Sequence, residues 1–203
     1  MDCKATRFSH LSSLISHLSS LISHLSSLLL LIFLSPCYGE STQPLKGPFL
    51  GKRNMISLVG GVEFGGRGFA SLGDFGIHYA QPDRFFRIPG RLVAELETFV
   101  GDYAKKTFYM FIFGVAQDIY LPIFRTGLYV GLGFGIYIRT KQGIRIGSAF
   151  TFGEKVFLGY AHNVAKGKGA LSYEIFLKHY SNGSLTAINA GYNFVGGSIG
   201  YSF

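Results

Sequence analysis

Beyond residue 39 the chain has no cysteine, because its two cysteines are Cys3 and Cys37. Disulfides therefore cannot staple the body, and stability has to come from elsewhere, for example from a closed sheet. No apolar run past residue 39 reaches the roughly 18 to 20 residues of a spanning helix. Charge is scarce too: charged residues are 15% of the sequence, which does not suit an ordinary soluble domain. The formal net charge is +8, yet the basic residues fall singly or in pairs, with no arginine-rich helix or interleaved aromatic platform. That excludes a nucleic-acid partner and fits an anionic membrane surface better.

What the chain has in quantity is glycine, 28 residues, and aromatics, 16%. Mean hydropathy is positive at +0.29 although long apolar runs are missing from the body. Hydrophobicity of that kind is spread over alternating strands. The start is different. Residues 1–39 open with Lys4 and Arg7 and end in LLLLIFLSPCYG, a basic start, an apolar stretch and a small residue at a cut after Gly39. The unit SHLSSLI at 9–15 and 16–22, with SHLSSLL at 23–29, reads as a low-complexity expansion of this signal peptide rather than a coiled coil. Leu34 to Cys37 faintly matches a lipoprotein cleavage box, and Pro36 argues against it. Residues 40–203 are expected to form one domain.

From about Asn54 the chain repeats alternating segments separated by Gly, Pro, Asp and Lys turns. In TGLYVGLGFGIYI (126–138), Leu128, Val130, Leu132, Phe134, Ile136 and Ile138 share one face, opposite Gly127, Gly131, Gly133 and Gly135. Large apolar groups outside and glycines inside predict a tight barrel facing lipid; a soluble lipocalin-like barrel would reverse the pattern. The expected outward sets are Ile56, Leu58, Val62 and Phe64; Phe69, Phe75, Ile77 and Tyr79; and Leu92, Ala94, Leu96 and Val100. Arg91, Arg145, Lys178, Glu63, Asp74, Glu95, Glu97 and Glu174 are expected to turn inward and pair across the lumen, with His78 among them. The segment 107–121 is apolar on nearly both faces, and only Asp118 hints at its lumen side. A sixth segment is expected from near Ile144 to Tyr160, with Glu154 out of phase and marking a bulge, and His162 in the turn after it. The expectation is an all-β, eight-stranded antiparallel transmembrane barrel of the bacterial outer membrane, filled by side chains and without a pore. Val195, Ile199, Tyr201 and terminal Phe203 alternate like the signal read by the outer-membrane insertion machinery, a predicted partner.

The tail, residues 171–203, carries the candidate chemistry. Tyr173, Ile175, Leu177, His179 and Ser181 share one face, so polar groups end an apolar stripe near the outer rim. His179 and Ser181 lie about 7 Å apart at the backbone and point the same way. A turn centred near Thr186 would set Asn193 opposite His179. Nucleophile, base and orienter on one face meet the geometric requirement of a hydrolytic triad. On a lipid-facing surface such a polar pair has no structural reason to exist.

The pattern His179-Tyr180-Ser181-Asn182, followed by Asn189-Ala190-Gly191-Tyr192-Asn193, resembles the PagL-type lipid A 3-O-deacylases (acyloxyacyl hydrolase family), eight-stranded outer-membrane esterases that remove the 3-O-linked acyl chain of lipid A. The resemblance covers the mature chain in architecture and the last quarter in motif. It implies Ser181 as nucleophile, His179 as general base, Asn182 with the Gly183 N–H at the oxyanion, and Asn189 in support. It also implies lipid A in the outer leaflet as substrate, no metal and no cofactor. Lysines and arginines at 105, 106, 139 and 141 would lie in outer loops, near the substrate's phosphates. One position departs: the family places a glutamate where this chain has Asn193. Asparagine can orient histidine but brings no charge, and Glu174 on the lumen side offers no replacement. The alternative reading is a non-catalytic small barrel with a degenerate site and a structural or surface-interaction role.

Overall fold

A computed structural model describes residues 53–65, 69–86, 88–123, 127–164 and 169–203. The proposed leader, with its repeats and its cut after Gly39, lies outside the described residues. Eight antiparallel strands close into a barrel in sequence order: β1 (Met55–Glu63), β2 (Phe69–Phe85), β3 (Ile88–Tyr103), β4 (Lys106–Ile123), β5 (Leu128–Arg139), β6 (Phe150–Val164), β7 (Gly169–Ser181) and β8 (Tyr192–Ser202). The first strand pairs with both β2 and β8, so the sheet has no free edge.

Period-two alternation decides what faces where. Ile56, Leu58 and Val62, then Phe75, Ile77 and Tyr79, then Leu92 and Leu96 are all exposed on the outer wall. So are Leu128, Val130, Leu132, Ile136 and Ile138 of β5. An outer wall of bare Ile, Leu, Val and Phe is stable against hydrocarbon rather than water. The ambiguous strand follows its one acid: Asp118, Phe108, Met110, Ile112 and Tyr120 are buried, while Tyr109, Phe111, Phe113 and Val115 are exposed.

The lumen is filled. Arg91 bridges Asp118 at 2.8 Å and Glu174 at 2.7 Å. Lys155 reaches Asp118 at 2.9 Å, and Lys178 holds Glu95 and Glu97 at 2.6 Å each. His78 meets Glu97 at 2.8 Å, and the Tyr129 and Tyr137 hydroxyls donate to Glu174 and Glu95. Cations and carboxylates taken from water are tolerated because each is paired and hydrogen-bonded. Asp74 departs from the expected pairing: it is fully buried, and neither carboxylate oxygen has a hydrogen-bond partner. Phe99, Tyr180, Tyr192 and Phe194 pack together above this network. The inward glycines of β5 make room for rings: a Cβ on Gly131 would sit 2.2 Å from Phe157, and one on Gly135 2.5 Å from the Tyr137 hydroxyl.

Three expectations about β6 need correction. The strand starts at Phe150, not near residue 144, because Gly143 (φ 84°) and Arg145 (φ 63°) leave the extended region. No bulge occurs at Glu154, since the pairing with β5 and with β7 runs through it without a shift. Glu154 therefore keeps the phase of the outward residues Phe152 and Leu158. His162 lies within the strand, stacked on Tyr160 and Tyr173, rather than in the following turn.

Candidate active site

Where β7 ends, Lys178 and Tyr180 are buried inward, so His179 and Ser181 between them project from the outer wall. Pairing of β7 with β8 sets His179 directly opposite Asn193. The side chains meet: His179 Nδ1 and Asn193 Oδ1 are 2.7 Å apart. With a carbonyl oxygen accepting there, Nδ1 carries the proton and Nε2 keeps its lone pair. That is the tautomer a general base needs. Ser181 is the next outward residue on the strand, and its backbone carbonyl accepts a hydrogen bond from Thr151 Oγ1 of β6. Nε2 and the Ser181 hydroxyl are not hydrogen-bonded here.

The loop of residues 182–191 is built around one asparagine. Asn182 is fully buried. Its N–H donates to Asn189 Oδ1 at 2.9 Å, and its Nδ2 donates to Thr186 Oγ1 at 2.5 Å. Its Oδ1 accepts from the Ser184 N–H at 3.1 Å. Leu185 N–H closes a turn on the Asn182 carbonyl at 3.1 Å, with Gly183 (φ 59°) and Ser184 (φ 63°) both left-handed at its centre. The donors of Asn182 are thus committed within the loop. The Gly183 N–H has no partner among the described residues and is the donor left open beside Ser181.

A second loop braces the first. Ile146 and Asn189 form an isolated bridge, Gly147 N–H donates to the Ile188 carbonyl at 2.8 Å, and Ala190 N–H to the Arg145 carbonyl at 2.6 Å. The Arg145 guanidinium pairs with Glu63 of β1 and lies 4.7 Å from the Tyr192 ring. Arg139 is not a free outer cation: it is buried and donates to the Ile146 and Ser148 carbonyls. Lys141 sits 4.7 Å from the Phe108 ring. Lys105 and Lys106, at the β3–β4 turn, are exposed.

Sequence reasoning missed one neighbour. Glu154 of β6 is paired with His179 from the side opposite Asn193. The outward face of β7 therefore has a carboxylate beside it after all. The signal was there in the phase of β6: with Thr151 turned inward, every even position, Glu154 included, turns outward.

The sequence profile of the family described as Lipid A 3-O-deacylase (PagL) matches residues 69–202. No curated protein sequence matches the chain. Among solved structures, the crystal structure of the outer membrane enzyme PagL aligns with a TM-score of 0.48 and 14% identity, over 72% of this chain and 97% of that one.

Proposed function

The chain belongs to the PagL lipid A 3-O-deacylase family, and from that premise we propose that it is an outer-membrane serine esterase releasing the 3-O-linked acyl chain of lipid A. The observation that carries the reading is the His179 Nδ1 to Asn193 Oδ1 contact on the outer wall, with Ser181 next along the same face. With the start of β1 and the end of β8 on the periplasmic side, β7 rises outward and ends at the level of the outer leaflet, where lipid A lies.

In the proposed reaction, Ser181 Oγ attacks the ester carbonyl as its proton passes to His179 Nε2. The carbonyl oxygen becomes an oxyanion, which the Gly183 N–H meets as donor. Collapse breaks the bond to the sugar 3-oxygen, and that oxygen leaves with the proton from Nε2. Water, deprotonated by the same nitrogen, then cleaves the acyl-serine to free fatty acid and regenerate Ser181. Asn189 fixes the Asn182 backbone and so the start of the loop that presents Gly183. Lys105, Lys106 and Lys141 are exposed outer cations suited to the phosphates of the substrate.

Mass spectrometry of lipid A from cells expressing the protein tests this. The expected result is loss of one acyl chain with the native chain and an unmodified pattern with Ser181→Ala. Identical, fully acylated lipid A in both would leave only a non-catalytic barrel.

A further inference from the structure

We infer that Glu154 is a positioning residue for His179, giving it from β6 the negative charge that Asn193 on β8 lacks. For its chemistry the inference rests on the esterase reading. The register sets Glu154 between Phe134 of β5 and His179 of β7, all three on the outer wall. Residues directly opposed across antiparallel strands have Cβ atoms about 4.5–5.5 Å apart, well within the reach of a glutamate and an imidazole. Glu154 is only 8% exposed, and its Oε2 is buried without a hydrogen-bond partner.

That combination is costly. A buried carboxylate oxygen with no donor, set on a wall of aliphatic and aromatic groups, destabilises the fold unless it serves something. Its counterparts in the lumen are, Asp74 excepted, treated differently: Glu97, Asp118 and Glu174 each sit on a lysine or arginine. The groups facing His179 can be named strand by strand. The eighth strand presents neutral Asn193, and β7 itself presents Leu177 and Ser181. The sixth presents Phe152, Glu154 and Val156, while Lys155 and Lys178 alternate into the lumen. Among the described residues, Glu154 is the one charged side chain at the outer-wall strand positions flanking His179.

Its action is electrostatic. When the Ser181 proton arrives on Nε2 the ring becomes a cation, Nδ1–H stays on the Asn193 oxygen, and the carboxylate stabilises the cation from the other flank. Glu154 accepts no proton in this scheme. A unit charge about 6 Å away at an effective dielectric of about 20 corresponds to on the order of a hundredfold in rate.

The experiment compares the full-length protein, folded into detergent micelles, with Glu154→Gln, Glu154→Asp and the double variant Glu154→Gln/Asn193→Glu. Two readouts are taken: labelling of Ser181 by a fluorophosphonate probe, and deacylation of purified lipid A. Glutamine keeps the shape of glutamate, so all four proteins are expected to show the heat-modifiable gel shift of a folded barrel. Glu154→Gln should label on the order of a hundredfold more slowly, with kcat for lipid A falling and KM unchanged. Glu154→Asp should retain part of the rate, and the double variant should recover it. Equal labelling of native and Glu154→Gln protein, or no labelling of either, overturns the inference. Labelling that depends on Glu154 without any lipid A deacylation by the native protein upholds the inference and sinks the lipid A reading instead.

Discussion

At Gly191 the backbone has φ 68°, and a Cβ placed there would stand 2.7 Å from His179 Cε1 and 2.9 Å from the Tyr180 carbonyl. Both the left-handed backbone and the ring's position thus require glycine. Gly191→Ala is expected to destabilise the barrel by about 1–3 kcal/mol, read as a lower urea midpoint of unfolding. It should also push the ring off Asn193 and lower esterase activity at least tenfold, because the added methyl takes the place of the imidazole edge. The motif in the sequence contains Gly191, but its contact with the imidazole depends on the loop path and could not be read there. His179 opposite Asn193 was legible, because hairpin symmetry about Thr186 fixes that register. Glu154 was misread for an instructive reason. In sequence, a charge on an apolar face looks like a fault in the strand, whereas the strand is regular and the charge is the information.

The two outer loops behave as one element. Residues 140–149 hold 182–191 through backbone bonds from Gly147 and Ala190, and Arg145 ties the assembly to Glu63 on the first strand. Arg145→Ala would leave Glu63 part-buried without its cation, which is expected to cost about 3 kcal/mol. The measurement is thermal unfolding in detergent, with limited proteolysis at residues 182–191 reporting the loosened brace. Glu63→Gln in the same chain should recover part of the loss, since no uncompensated charge remains. Alternation of Ile144 and Ile146 imitates the start of a strand, so the sequence gives no warning that the loop carrying Lys141 runs on to Ala149. Its conformation is set by the positive φ of Arg145, which the pairing with Glu63 and the Tyr192 ring maintains against a local preference for extended backbone.

For the whole molecule the fold was readable because each strand has one wall in lipid and one in the lumen, and period two separates them. Only β4 resisted, since Phe108, Met110 and Ile112 are as apolar as the residues they back onto; Asp118 alone broke the tie. The ion network inside was foreseeable as charges turned inward, but its partners were not, because pairing across a barrel depends on strand stagger. Lys178 holds two of its carboxylates, and Lys178→Met would leave Glu97 with only His78 and Glu95 with only His78 and the more distant Lys155. A loss of about 3–5 kcal/mol is expected, measured as the shift in urea unfolding, well above that of a surface lysine such as Lys105→Met. The way β1 meets β8 has a further consequence. Just past the end of β1, the Phe64 N–H donates to the Asn193 carbonyl at 3.0 Å, so the residue that orients His179 is itself held by the opposite end of the chain. An unclosed chain carries the same serine and histidine but lacks that hold. On the esterase function proposed above, a barrel whose β1–β8 seam is open is therefore expected to cleave ester more slowly than the closed one.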